Sequence, residues 1–418
     1  MDNSYELVSL NYAKLLTGFL TSLEEFLILT YVRICRILIF KMESNQKQKP
    51  PIIWINVLVF TITFAVAAIG TPFWAWYHGF DWAQFTMLVA GFTFGGMSIT
   101  AGYHRLWSHK TYEAHPVLKL TFALGGAYSL QNSILHWSSD HRMHHRHVDK
   151  NDVDPYSAKL GFWYSHIGWI LREYQKQRYY DYSNCRDLKK DKIVILQHKY
   201  YLPLALITNL LIPVIFGLIH GDLWGSIILI GFTRLVLNHH TTFFINSLAH
   251  MWGNQPYTEK NTARDNGVLA LLTFGEGYHN FHHIFENDYR NGIYWWQFDP
   301  TKWLIKSVSM IGLTQKLRIT QPDRIEKVRA TMVLKNIKIR LNEIPNASHR
   351  LQILEQEYDA LVLRMSDYYG AKKHLIDLTK QNLLKKYEAV ILIQQLKILK
   401  ENFQRQERNW RALTTNYV

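Results

Sequence analysis

The chain has 418 residues, 47 of them Lys or Arg against 33 Asp or Glu, for a formal net charge of +14. Such a charge suits nucleic acid or an anionic membrane surface, and the 48% apolar and 14% aromatic content turns the choice to the membrane. With only Cys35 and Cys185, a disulfide framework and a tetrathiolate metal site are both excluded, so any metal is held by nitrogen or oxygen.

Residues 1–50 predict an interfacial segment, because Leu16, Phe19, Leu20, Leu23, Phe26 and Leu27 recur at helical spacing. Glu6, Glu24 and Glu25 among these apolar residues argue against a cleavable signal peptide. Four long apolar stretches follow, over about 52–76, 82–103, 201–219 and 223–246, each near the length that crosses a bilayer. They predict two membrane hairpins, with Arg234 alone interrupting the last and the other charges away from mid-span. The turns Gly70 to Asp81 and His220 to Asp222 carry no Lys or Arg, whereas Arg33, Arg36, Lys47, Lys49, Arg105, Lys110, Lys199 and Lys260 flank the spans. By the positive-inside rule, both termini and the middle segment lie in the cytoplasm.

From about Arg318 the composition shifts to Lys, Leu, Ile, Gln and Glu. Leu351, Leu354, Tyr358, Leu361, Met365 and Tyr368 are spaced three and four apart, and a second periodic run goes from Leu383 to Phe403, so a helical hairpin or short coiled coil around Gly370 is expected. With every clustered histidine before Glu286, this tail reads as an accessory module.

The histidines carry the chemistry. "HRLWSH" holds His104 and His109, "HRMHH" holds His141, His144 and His145, "NSLAH" ends on His250, and "HNFHH" holds His279, His282 and His283. Spacing i, i+3, i+4 puts three imidazoles on one helix face, where they converge on a metal. His104 and His109 are five apart, which would splay them on a regular helix, so that segment is expected to bend or end between them. Nine histidines exceed the three or four that one ion needs, implying two metals. Imidazole suits Zn, Cu, Fe and Ni alike; a site under apolar helices, without a His-Glu-x-x-His motif, favours iron and dioxygen acting on a lipid.

HRLWSH, DHRMHH, NSLAH and GEGYHNFHH, with the intervening "DVDPYSAKLGFWYSHIGW", resemble the histidine boxes of the membrane fatty acyl desaturases, nearest the delta-9 acyl-CoA desaturases. The resemblance runs from about Pro51 to Leu317. It implies an all-α integral membrane protein with four transmembrane helices in two hairpins and a cytosolic di-iron helical cap, to which this chain adds the C-terminal helical extension. The domains are then 1–50, 51–317 and 318–418. Two iron ions, with dioxygen as co-substrate and two external electrons, insert a cis double bond into a saturated acyl chain.

The same resemblance implies that the nine histidines bind iron, that Asn246 holds a metal-bound water, and that Asp140 and Glu276 orient imidazole N–H groups. Gln131, Trp137 and Thr242 shape a bent substrate tunnel, and Asn132 contacts the acyl carrier end. Small residues in the second span, Gly95 among them, are expected to line the methyl end. His239 and His240 read as local hydrogen bonding or tunnel lining. Where the animal acyl-CoA enzymes carry an arginine ahead of the Asp-His pair, this chain has Ser139, and Phe243 replaces a tryptophan, so both acyl-CoA and a lipid-linked acyl chain stay open as substrate. Basic residues Lys150, Lys159, Arg172, Lys176 and Arg178 suit phosphates or anionic headgroups.

No haem-binding or flavin-binding unit and no iron–sulfur cysteine set is visible, so electrons are expected from a separate ferredoxin or b-type cytochrome with its reductase. The expected location is a bacterial inner membrane, with the active site cytoplasmic and no nucleic-acid partner. The alternative reading is a hydroxylase on the same scaffold, since both outcomes start from the same hydrogen abstraction.

Overall fold

A computed structural model describes residues 49–345, 347–381 and 386–415, together with 30, 32, 33 and 36. Residues 1–52 form one compact unit and 53–418 another. In the first, residues 30, 32, 33 and 36 are helical and exposed; the interfacial helix expected at Leu16 to Leu27 lies outside the described residues.

The second unit is all-helical apart from loops and one two-stranded pair, β1 (Glu113–Ala114) antiparallel to β2 (Thr314–Gln315). The helices that frame the site, in chain order and leaving aside shorter ones such as Lys192–Lys199, begin with α1 (Trp54–Tyr77), α2 (Trp82–Ser108), α3 (Pro116–Tyr128), α4 (Ile134–His147), α5 (Tyr201–His220) and α6 (residues 223–246). Then come α7 (Gly267–Leu272), α8 (His279–Ile284), α9 (Pro300–Ser309), α10 (Pro322–Asn342), α11 (Ser348–Lys380) and α12 (Lys386–Thr415).

Among the described residues, three helices are long and apolar enough to cross a membrane: α1 with 24 residues, α2 with 27 and α5 with 20. At about 1.5 Å per residue each reaches the ~30 Å of a hydrocarbon core. The stretch 223–246 is helical throughout but carries Arg234, Asn238, His239 and His240, which lower its hydropathy. Arg234, the one charge the sequence places inside this stretch, lies midway along α6. It is tolerated because it is fully buried: its guanidinium donates to the Tyr128 carbonyl and to Asn209 Oδ1, both at 2.7 Å, and stacks on the Tyr128 ring.

Local signals set the helix ends. Asp81 and Gln84 form a reciprocal capping box that starts α2. Gly221, at φ 90°, ends α5, where a left-handed residue is needed. Asp222 caps the start of α6 through the Gly225 N–H and also accepts from Gln84 Nε2 at 2.8 Å and Trp74 Nε1 at 3.2 Å, tying three helices at one end.

Gly95 sits where α2 approaches its neighbours. A Cβ there would meet Ser129 Oγ at 2.7 Å and Asn238 Oδ1 at 2.8 Å. The small residues of this helix therefore serve close helix packing, and Gly95 is not among the residues lining the larger cavity described below, so the structure does not bring it to the expected tunnel end.

The C-terminal extension is three helices. α11 and α12 run antiparallel, with Tyr358 against Trp410 and Tyr368 against Phe403. Gly370 lies inside α11, so the reversal falls between Lys380 and Lys386 instead. α10 packs on the back of α8: Ile325 is buried with Tyr257, Phe281 and Phe285.

Candidate metal centre

Nine histidines from four segments meet in two buried groups, one of His104, His109, His141, His145 and His282, the other of His144, His250, His279 and His283. Within each group the offered ligand atoms all lie within 4.8 Å of one another. The His145 and His283 rings, one from each group, stack at 4.2 Å between centroids, so the groups adjoin.

α2 delivers the first two by an uncommon route. Its last eleven residues, Ser98–Ser108, wind as a π-helix, and the His109 N–H donates to the His104 carbonyl at 3.1 Å. A five-residue repeat that splays side chains on an α-helix aligns them on a π-helix. The helix ends at Ser108, between the two histidines as the sequence predicts, with His109 as its C-cap. α4 contributes three by its i, i+3, i+4 face, capped by Ser133, and α8 contributes three more by the same spacing.

The donors fit metal ions. Nε2 of His104 lies 2.9 Å from that of His282, His282 lies 3.0 Å from His145, and His250 and His283 each lie 3.1 Å from His279. Imidazole nitrogens about 2.1 Å from one ion would sit about 3.0 Å apart at adjacent octahedral corners. His144 Nε2 is buried with no hydrogen-bond partner among the described residues. Burial, with the neighbouring imidazoles, pushes His109, His141, His250, His279, His282 and His283 well below the usual histidine range. They are neutral, the form that ligates.

Acceptors behind the rings hold the Nδ1 atoms and leave Nε2 inward. Glu276 Oε2 lies 2.9 Å from His104 Nδ1 and Asp154 Oδ1 lies 2.8 Å from His144 Nδ1. Thr262 Oγ1 lies 2.8 Å from His250 Nδ1 while donating to Asp149 Oδ1, so its lone pair faces the ring. Glu286 Oε2 lies 3.3 Å from His145 Nδ1. Burial works against ionising Glu276, but His104 and Arg105 outweigh it and bring the carboxyl down to about 2. Arg105, itself fully buried, bridges Glu276 and Asp299 at 2.9 and 3.0 Å, locking α2 to the α8 and α9 segments.

Asp154, Thr262, Glu286 and Arg105 were not anticipated from sequence. Glu286, three residues past His283, was the one with a spacing signal. Asp140 is a correction: its carboxylate is taken by Arg178 and by His136 Nε2 at 3.3 Å, and no hydrogen bond or ion pair joins it to the nine histidines. Its partner Arg178 is buried and not a surface cation, because the ion pair is enclosed by Trp169 and Tyr179. His239 donates to the Leu130 carbonyl, and His240 pairs with His166 at 2.9 Å; neither joins the two groups.

Beside the histidines lies a cavity of about 300 Å³ whose walls include Gln131, Asn132, Trp137, Thr242 and Asn246. Gln131 Nε2 donates to Thr242 Oγ1 at 2.8 Å, and the Asn132 N–H donates to the Tyr201 hydroxyl at 2.8 Å. A second cavity of about 30 Å³, room for roughly one water, is walled by His104, His141, His144 and His279. Trp137, Thr242 and Asn246 belong to both, so these three side chains separate an apolar chamber from the imidazoles.

Buried histidine groups beside a chamber, together with three helices long and apolar enough to span a bilayer, fit an integral membrane protein with a metal-binding site. A family model for fatty acid desaturases matches residues 80–310. The chain is 46% identical over 237 residues to a probable acyl-CoA desaturase of Schizosaccharomyces pombe, covering 56% of this chain and 49% of that one. It is 41% identical over 281 residues to acyl-CoA desaturase 1 of Saccharomyces cerevisiae, covering 66% and 53%. With the sn-2 palmitoyl-lipid 9-desaturase of a Nostoc species it shares 35% over 283 residues, covering 66% and 94%. The chain belongs to the fatty acid desaturase family. It spans about half the length of the two yeast relatives, and nearly all of the Nostoc one.

Proposed function

We propose that this protein is an oxygen-dependent acyl desaturase that places a cis double bond, at the delta-9 position, in a saturated chain bound as acyl-CoA or as a lipid ester. The observation that carries this reading is the shared wall: Trp137, Thr242 and Asn246 separate the larger cavity from the small one lined by His104, His141, His144 and His279 of the two histidine groups.

Filled with iron, the two histidine groups supply the family's oxygen chemistry: two hydrogens leave adjacent methylenes, and with two external electrons and two protons they reduce dioxygen to two waters. Every other requirement falls on the chain itself. The Gln131 to Thr242 hydrogen bond ties the loop after α3 to α6 and fixes the cavity's shape beside Asn246, which holds a water at the centre. Trp137 stacks on His141 at 4.9 Å and keeps the chain at one distance from the imidazoles. Holding a methylene in one register lowers the barrier by several kcal/mol. Asp154, Glu276, Thr262 and Glu286 keep the rings oriented.

In this reading α6 is the fourth span, its buried Arg234 satisfied within the bundle, and the metal centre and both termini face the cytoplasm. Electrons arrive from a separate ferredoxin or b-type cytochrome with its reductase, drawn by basic residues such as the exposed Lys150, Lys159 and Lys176.

Expression in a desaturase-deficient host tests the reading: the fatty-acid profile should gain monounsaturated chains, and His144→Ala should abolish them. A host profile that the intact protein leaves unchanged overturns the assignment.

A further inference from the structure

The larger cavity is also lined by polar side chains that belong to neither histidine group, His136, Asp140 and Arg178 among them. Arg178 and Trp169 both line it, with the guanidinium carbon 4.5 Å from the centre of the indole ring. Arg178 spends Nε and Nη2 on the two oxygens of Asp140. Its Nη1 is buried and has no partner among the described residues, and the same holds for Trp169 Nε1. The Arg178 side chain is only 8% exposed, so bulk water does not satisfy it.

Two buried donors without an acceptor are costly, at about 1–3 kcal/mol each, and such groups call for a ligand. The polar groups around them are already engaged: His136 bonds Tyr182 and Asp140, and the Tyr156 hydroxyl bonds His141. Gln175 Oε1, also unpaired, is not on the cavity wall.

Charge narrows the ligand. Asp140 already neutralises Arg178, so a second carboxylate entering beside them would be desolvated without a net counter-charge. An uncharged oxygen acceptor attached to an apolar chain meets no such cost.

Resting on the acyl-desaturase reading, we infer that Arg178 Nη1 and Trp169 Nε1 together hold the carbonyl oxygen of the bound acyl ester or thioester. The double-bond position is counted from that carbonyl. Clamping it there therefore determines which methylene reaches Trp137, Thr242 and Asn246. Sequence gives little sign of this, because Trp169 and Arg178 lie outside the histidine boxes and the second of them looked like a surface cation.

The test compares matched probes on the metal-loaded full chain: stearoyl-CoA against S-octadecyl-CoA, and stearoyl lysophosphatidylcholine against its octadecyl ether. In each pair only the carbonyl is missing. The intact protein should bind the acyl member of one pair about tenfold more tightly, and the pair that shows the gap identifies the carrier. Trp169→Phe, which removes the N–H and keeps a ring for the guanidinium, should close most of that gap and broaden the distribution of double-bond positions. Arg178→Lys, which keeps a cation for Asp140, should do the same and serves as the second variant. Equal binding within both pairs by the intact protein, or an undiminished gap in both variants, overturns the carbonyl clamp. The desaturase reading fails separately, on absence of monounsaturated product from the intact protein in the host.

Discussion

His104 and His109 face each other across one turn of π-helix, joined by a 3.1 Å backbone hydrogen bond and with ring centroids 4.9 Å apart. Inserting one alanine after Leu106 sets the pair six apart, out of phase on either kind of helix, and swings His109 by roughly 100° relative to the five-histidine group. The protein should still insert in the membrane, but elemental analysis should find that it has lost metal from that group. An insertion variant with a full metal complement would show that the spacing is incidental.

Asp154 is fully buried and accepts from His144 Nδ1 at 2.8 Å and from the backbone N–H of Asp149 at 2.9 Å. Asp154→Asn keeps the volume but presents an amide where a carboxylate fixed the imidazole. Metal affinity should fall about 10–100-fold, read by chelator competition, with helical content retained. Unchanged affinity would assign Asp154 to loop structure alone.

Asp265 sets a pH dependence. Burial pushes its carboxyl up to about 7, against the backbone N–H groups of Phe281 and Asn280, which pull the other way. The unfolded chain holds the same carboxyl near the usual ~3.9, so the native state keeps a proton that the unfolded state has lost. The stability tied to that proton is full below about pH 4 and is gone above about pH 7. Asp265→Asn should therefore raise the melting temperature at pH 8 relative to the parent and change it little at pH 4. Parallel shifts at both pH values would contradict this.

Ile325 carries the C-terminal extension onto the HNFHH segment, 4% exposed against Tyr257, Phe281 and Phe285. Ile325→Ala should cost about 2–5 kcal/mol and hasten metal loss on warming, although no ligand is touched. Ile339→Ala, on the same helix but 52% exposed, should stay within about 0.5 kcal/mol. Identical thermal metal release in the two variants would mean that α10 does not brace α8.

Much of this was legible in the residues. Apolar runs long enough to cross a bilayer appear as the helices Trp54–Tyr77, Trp82–Ser108 and Tyr201–His220, because a backbone in lipid must satisfy its hydrogen bonds internally. The i, i+3, i+4 histidines of α4 and α8 needed only helical periodicity to share a face. Periodicity also gave the antiparallel pair at the C-terminus, though not its turn, since Gly370 is tolerated within a helix held by its partner's side chains.

Sequence by itself determined which residue types cluster and that nine imidazoles stand at spacings suited to metal ligation, because those follow from composition and local spacing. Tertiary structure decided the rest. How the nine divide into five and four depends on the packing of α2, α4 and α8, and the pairing of His104 with His109 depends on a π-helical phase that propensity does not encode. Which carboxylate backs which ring depends on loops folding across large separations: Asp140, beside His141 in the chain, is captured by Arg178 from 38 residues away, while Glu276 reaches His104 across more than 170 positions and Asp154 reaches His144 from the far side of a turn. A partner of opposite charge within reach in space outweighs adjacency along the chain, since Coulomb and hydrogen-bond energies fall with distance between atoms and take no account of residue number.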